Sequence, residues 1–192
     1  MKLAPGRLFL GCLLLGALSG CQRMVVPGPL PPHAGEAVQR DAGYGLLINL
    51  LDQEARLDGL LGLKSYPPAT VSIIEGIAKA ASEGARSLKA TKDDQPPIDW
   101  SSEGLPRTEI EARNRIASRT SLRLLSASGS EGELELLLAQ LKATEYILAL
   151  SSALAEQAVS ESRREILKSI GTSFNAHHEA LRARLNAMSI AR

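Results

Sequence analysis

After residue 41, apolar side chains recur three and four apart, and no run of valines, isoleucines and aromatics alternates one by one. That period collects them on one side of a helix, so it selects rods packed against rods over sheets. The spacing predicts five helices. The first spans 41–63, carries Leu46, Leu47, Leu50, Leu51, Leu57, Leu60 and Leu61, and has Asp41 placed to cap it. Tyr66-Pro67-Pro68 ends it, and a second helix over 69–91 sets Ile74, Ile77, Ala81, Ala85 and Leu88 on one face. Its alanines and Gly84 imply a close helix contact. Residues 93–106, with three prolines and Trp100, read as a long connection. A third helix is expected over 107–127 and a fourth over 133–157, the latter with Leu134, Leu137, Leu141, Leu148 and Leu154. Ser128-Gly129-Ser130 and Gly132 break or kink the chain between them, which leaves open whether the two form one rod. The last helix, 160–188, has a seam of Leu167, Phe174, Leu181 and Met188 with Ile170 beside it. The expected fold is all-α: an antiparallel bundle of four or five helices.

The N-terminal end carries a different signal. Lys2 and Arg7 precede an apolar stretch, Leu8 to Leu15, too short to span a bilayer, which takes about 20 residues. Small residues and a cysteine follow: Leu18-Ser19-Gly20-Cys21. This is the pattern of a lipoprotein signal, cleaved between Gly20 and Cys21, with diacylglycerol and an N-acyl chain such as palmitate carried on Cys21. Small side chains let a membrane-embedded peptidase reach the bond, and the thiol is the nucleophile that accepts the lipid. The expected organisation is a signal peptide over 1–20, an acylated Pro/Gly-rich tether over 21–40 and a helical domain over 41–192. Pro27, Pro29, Pro31 and Pro32 suit a tether because they cannot build a helix interior. Gln22 at the second mature position favours the outer membrane, with the domain facing the periplasm.

Two cysteines in the whole chain, Cys12 and Cys21, leave the mature form no free thiol and no disulfide, so the fold relies on its core. Removing the signal shifts the formal charge from +1 to −1, with 20 basic against 21 acidic side chains. That balance gives no general pull toward nucleic acid.

Three sets of polar residues could carry chemistry. Glu54 and Glu145 lie among leucines, where a carboxylate must be paired, protonated, metal-bound or turned to water at a seam edge. His177 and His178 flank the last seam. Adjacent helical residues point about 100° apart, so one metal cannot take both, and a Glu145–histidine hydrogen bond is the expected use. Arg115, Arg119 and Arg123 form a basic stripe four apart. It could meet lipid or lipopolysaccharide phosphate, or be a solvated face with Glu111 pairing Arg115. No Gly-x-Ser-x-Gly, His-Glu-x-x-His, phosphate-cradling glycine loop or cysteine pair is present, so no catalytic residue and no metal site is assigned.

With helices over 41–91, then Gln95-Pro96-Pro97-Ile98, then a helix pair over 133–188 bearing Leu141, Thr144, Tyr146, His177 or His178, and Leu181, the chain resembles a ferritin-like family of exported bacterial bundles, described as predicted outer-membrane proteins. The resemblance implies Glu54 and Glu145 at the positions of two lone carboxylate ligands. The pattern departs at Asn175-x-x-His178, where Glu-x-x-His belongs, and at Ser82, near which the second helix should carry a histidine. It therefore implies a bundle without the iron chemistry. The expected function is a lipid-anchored binding or structural module meeting an envelope protein or a small apolar ligand. A metal-binding ferritin-like protein or enzyme, or an assembly factor of an envelope complex, are the alternatives.

Overall fold

The computed structural model describes residues 35–100 and 105–190; the expected signal peptide, Cys21 and the expected tether up to residue 34 lie outside these. All the secondary structure among them is helical: α1 (Glu36–Glu54), the single turn α2 (Asp58–Leu61), α3 (Pro68–Lys89), α4 (Arg107–Ser126), α5 (Gly129–Gln157) and α6 (Glu161–Ile190). The all-α bundle expected from the periodicity is the fold.

Four helices build the bundle. α1 packs on α3 and α5, and α6 packs on the same two, so α1 lies diagonal to α6 and α3 diagonal to α5. Facing residues fix the directions. Gly43 of α1 meets Leu154 of α5, and Gly76 and Gly84 of α3 meet His177 and Ile170 of α6. Neighbours are thus antiparallel, while α3 and α5 run the same way. That requires one long crossover, and α4 supplies it, returning along the outside of α5.

The seams of α3 and α6 fall where the sequence placed them. Ile74, Ile77, Ala81, Ala85 and Leu88 are buried, as are Leu167, Ile170, Phe174 and Leu181. A Cβ on Gly84 would sit 3.1 Å from Ile170 Cγ1, so a bare backbone there lets α3 and α6 approach.

Three boundaries differ from the sequence reading. α1 begins at Glu36, so the last five residues assigned to the tether are helical, and Asp41 is inside the helix. Asp41 instead accepts hydrogen bonds from Arg40 and from the backbone N–H of Asp99. α1 also stops at Glu54, and the leucines at 57, 60 and 61 belong to a turn and α2. Finally, α5 begins at Gly129, four residues before the expected start at 133, with Gly132 inside it, and it runs antiparallel to α4 as a separate helix. Ala127 and Ser128 are extended, and Gly129 takes φ +57°, a left-handed conformation that other residues adopt only at a cost. The Lys64 ammonium donates to the free carbonyls of Leu124, Leu125 and Ala127, capping α4 at this reversal.

The connection after α3 is a strap laid over α1. Ile98 joins the core, Trp100 meets Tyr44 edge-to-face at 5.7 Å, and Arg40 donates to Pro97 O. Covered by the strap on its outer side, α1 buries Ala42, Tyr44, Leu46, Leu47 and Ile48 almost all round. Burial pushes the Tyr44 hydroxyl pKa above its ordinary value.

Candidate functional site

The polar residues that matter lie along the inward face of α5. Glu133, Gln140, Thr144 and Ser151 are all buried and fall seven, four and seven apart, in register with Leu137, Ile147 and Leu154. The sequence reading put Leu141 and Leu148 on this seam and Glu145 beside it. α5 turns otherwise: Leu141 and Leu148 are half-buried at the side, and Glu145 is exposed. α5 is apolar on both sides because it packs on the bundle with one and on α4 with the other. Hydrophobicity alone therefore cannot set its rotation, and a one-residue error turns a side chain by about 100°.

At one end, Glu133 of α5 holds together three helices. Its Oε1 accepts from Thr70 Oγ1 of α3 and from Arg184 of α6, at 2.9 Å (Nε) and 2.7 Å (Nη2). About two turns along α5, Gln140 donates to the carboxyl group of Glu54, which is 9% exposed. Burial raises the Glu54 pKa to about 7, against the smaller opposite effect of that hydrogen bond. Glu54 Oε2 and Gln140 Oε1 have no hydrogen-bond partner among the described residues. Both can only accept while Glu54 is ionised, so neither can then satisfy the other.

One turn further, His178 Nδ1 lies 3.3 Å from Thr144 Oγ1. The expected Glu145–histidine bond is replaced by this threonine contact. His177 turns toward α3: a Cβ on Gly76 would fall 2.8 Å from its Cε1, and the ring packs edge-to-face on Phe174. Burial lowers its pKa. The two histidines thus diverge, as their adjacency requires. Glu54 and Glu145 do not converge with either, and among the described residues no three of His, Cys, Asp and Glu gather as a metal could use them.

At the opposite end, Arg163 of α6 is 2% exposed. Its guanidinium donates to Thr91 O at 3.0 Å, to Asp94 O at 2.7 Å, to Pro96 O and to Thr91 Oγ1. It clamps the strap to α6. Sequence reasoning missed Arg163, Arg184 and Glu133, although a signal existed: Arg163 is four before Leu167, Arg184 three after Leu181 and Glu133 four before Leu137, each in register with a seam.

Two surface features complete the inventory. A groove of about 730 Å³ runs between α5 and α6, floored by Leu148, Ala155, Leu167 and Gly171, with Lys168 and Asn175 at its edge. The basic stripe of α4 is exposed throughout. Arg123 pairs with Glu135 at 3.0 Å, but Glu111 pairs with Arg107, not with Arg115. None of the described helices is long and apolar enough to cross a membrane.

These features define the class: an antiparallel four-helix bundle with one helical crossover and an internally bonded polar seam. No protein-family model, curated protein or solved structure matches the chain.

Proposed function

We propose that this chain is a lipid-anchored binding module of the cell envelope, held at a membrane through acylated Cys21, with the α5–α6 groove as its ligand surface. The groove carries the reading. Its volume lies in the range of small-molecule sites, and its floor is apolar while its edge is polar, so it suits a ligand with an apolar body and a charged or polar end. The lipoprotein signal at Leu18-Ser19-Gly20-Cys21 supports the anchoring.

A dye that fluoresces on apolar surfaces, 1-anilinonaphthalene-8-sulfonate, reads the apolar floor and serves as the probe. Ser152 is exposed beside the groove, and Ser152→Trp fills it from the rim without touching the core. Dye binding should fall at least about tenfold in this variant, at unchanged helicity and melting temperature. Equal dye binding by both proteins would reject the groove as the ligand surface. Anchoring is tested apart from this: globomycin should leave a longer precursor that still carries palmitate label, and an unchanged size with no label would contradict acylation at Cys21.

The single crossover is also the connectivity of ferritin-like bundles, which supports that resemblance as one of architecture. It does not extend to metal, because Glu145 faces solvent and the two histidines point to different helices.

A further inference from the structure

We propose that the outer face of α4 lies on an anionic phospholipid surface and so orients the bundle on the membrane that holds its lipid anchor. This rests on the anchoring reading above. At 100° per residue, positions 112, 115, 116, 119, 122 and 123 fall within an arc of about 120°. All six are exposed, and Ile116 and Leu122 are 65% and 67% exposed. α4 uses little apolar surface to dock on the bundle, since Ile110 is its one buried residue.

Charge decides the occupant. α4 holds five arginines and two glutamates. Glu111 is occupied by Arg107, Glu109 by Arg113, and Arg123 by Glu135. Arg115 and Arg119 remain, four apart and therefore neighbours, with no ion pair among the described residues. Two adjacent cations repel, and a face that keeps them beside bare isoleucine and leucine matches an interface with phosphates above and acyl chains below. An acidic protein would meet the charges but has no need of two isolated apolar side chains splayed to either side of them.

Reach agrees with this. From Cys21 to Glu36 the chain extends at most about 50 Å. α6, the longest helix at 30 residues, is about 45 Å long, so every part of the bundle can touch the membrane that holds the lipid. Tethering makes the second contact intramolecular, so a weak face suffices.

The test uses the mature acylated protein reconstituted into vesicles. With Cys21 blocked by lipid, an introduced cysteine is its only thiol. An environment-sensitive dye is placed on α4 by Ala112→Cys, or on α3, diagonal to α5, by Ser82→Cys. On phosphatidylglycerol vesicles the dye at 112 should be shielded from an aqueous quencher and the dye at 82 should not. On phosphatidylcholine both should be open. Arg115→Glu with Arg119→Glu should shift the docked population at least about 30-fold and expose the dye at 112, while the protein still floats with the vesicles. A dye at 112 that stays open on phosphatidylglycerol overturns the proposal, and an acidic protein partner then becomes the better occupant. Protein that fails to float, or whose parent form takes up dye at Cys21, counts against the anchor instead.

Discussion

α6 turns an arginine inward near each end, Arg163 buried and Arg184 half-buried, and the two are held by different chemistry. Arg163 gives its protons to three backbone carbonyls and a threonine hydroxyl, whereas Arg184 gives its own to the carboxylate of Glu133. Carbonyl dipoles satisfy donors without cancelling a charge; a carboxylate does both. The first arrangement fastens a segment with no regular structure, whose carbonyls have no ladder to join. The second fastens three helices whose backbones are already bonded. A guanidinium at the strap end therefore replaces missing secondary structure, and at the other end sets the mutual register of α3, α5 and α6.

The largest effect should come from Arg163→Met. It removes the guanidinium donor from Asp94 O and Pro96 O and one of the two donors of Thr91 O, and the domain should lose about 4 kcal/mol in urea unfolding. Because carbonyls do not titrate, the loss should be equal at pH 5 and pH 8. A loss below about 1 kcal/mol would show that the strap holds without its clamp.

Glu54 sharpens the contrast, being a buried carboxylate with an amide for a partner and no arginine. Its folded pKa, about 7, is above the ordinary carboxylate value of 4.5, so between those values the folded state binds more protons than the unfolded one. Stability should therefore fall as pH rises from 4.5 to 7 and level off above, by about 3 kcal/mol in all. Glu54→Gln should abolish this slope and be the more stable form at pH 8. A parent protein whose stability rises across that window would contradict it.

Glu133→Gln weakens an ion pair whose arginine is still 24% exposed at its side chain, so a loss of about 2 kcal/mol is expected. Combined with Arg184→Met, the double variant should lose less than the two single losses added, which a double-mutant cycle reads directly. Strict additivity would mean that the two residues act independently. The smallest effect is expected for metal. Zinc, manganese and iron in the purified protein should be well below one per chain, and stoichiometric metal would require the seam to rearrange around Glu54 and His178.

How much of this was legible depended on how many sides of a helix are covered. α3 and α6 keep one wet face, so their seams could be read residue by residue from Ile74 to Leu88 and from Leu167 to Leu181. α1 is sheathed by the strap and α5 by α4, so their leucines run all round and give no phase. That is why the sequence alone does not decide which of Thr144 and Glu145 faces inward. The strap itself was visible only as prolines, because what holds it, Arg163, looks in sequence like any solvated arginine beside another. The break at Gly129 was legible as a Ser-Gly-Ser signal, but its sharpness depends on a left-handed φ that no pattern of polarity reports.

The strap has a mechanical consequence. Any pull arriving along the chain from Cys21 enters the bundle at Glu36, and within two turns it meets Arg40 on Pro97, Asp41 on Asp99 and Tyr44 against Trp100. Those contacts lie across α1 and are spread along it, so tension is shared among them in shear before it can peel the helix away. Their far side is riveted to α6 through Arg163, which carries the load into the diagonal helix. On the proposed anchoring through Cys21, the bundle is thereby reinforced on the side from which it would hang.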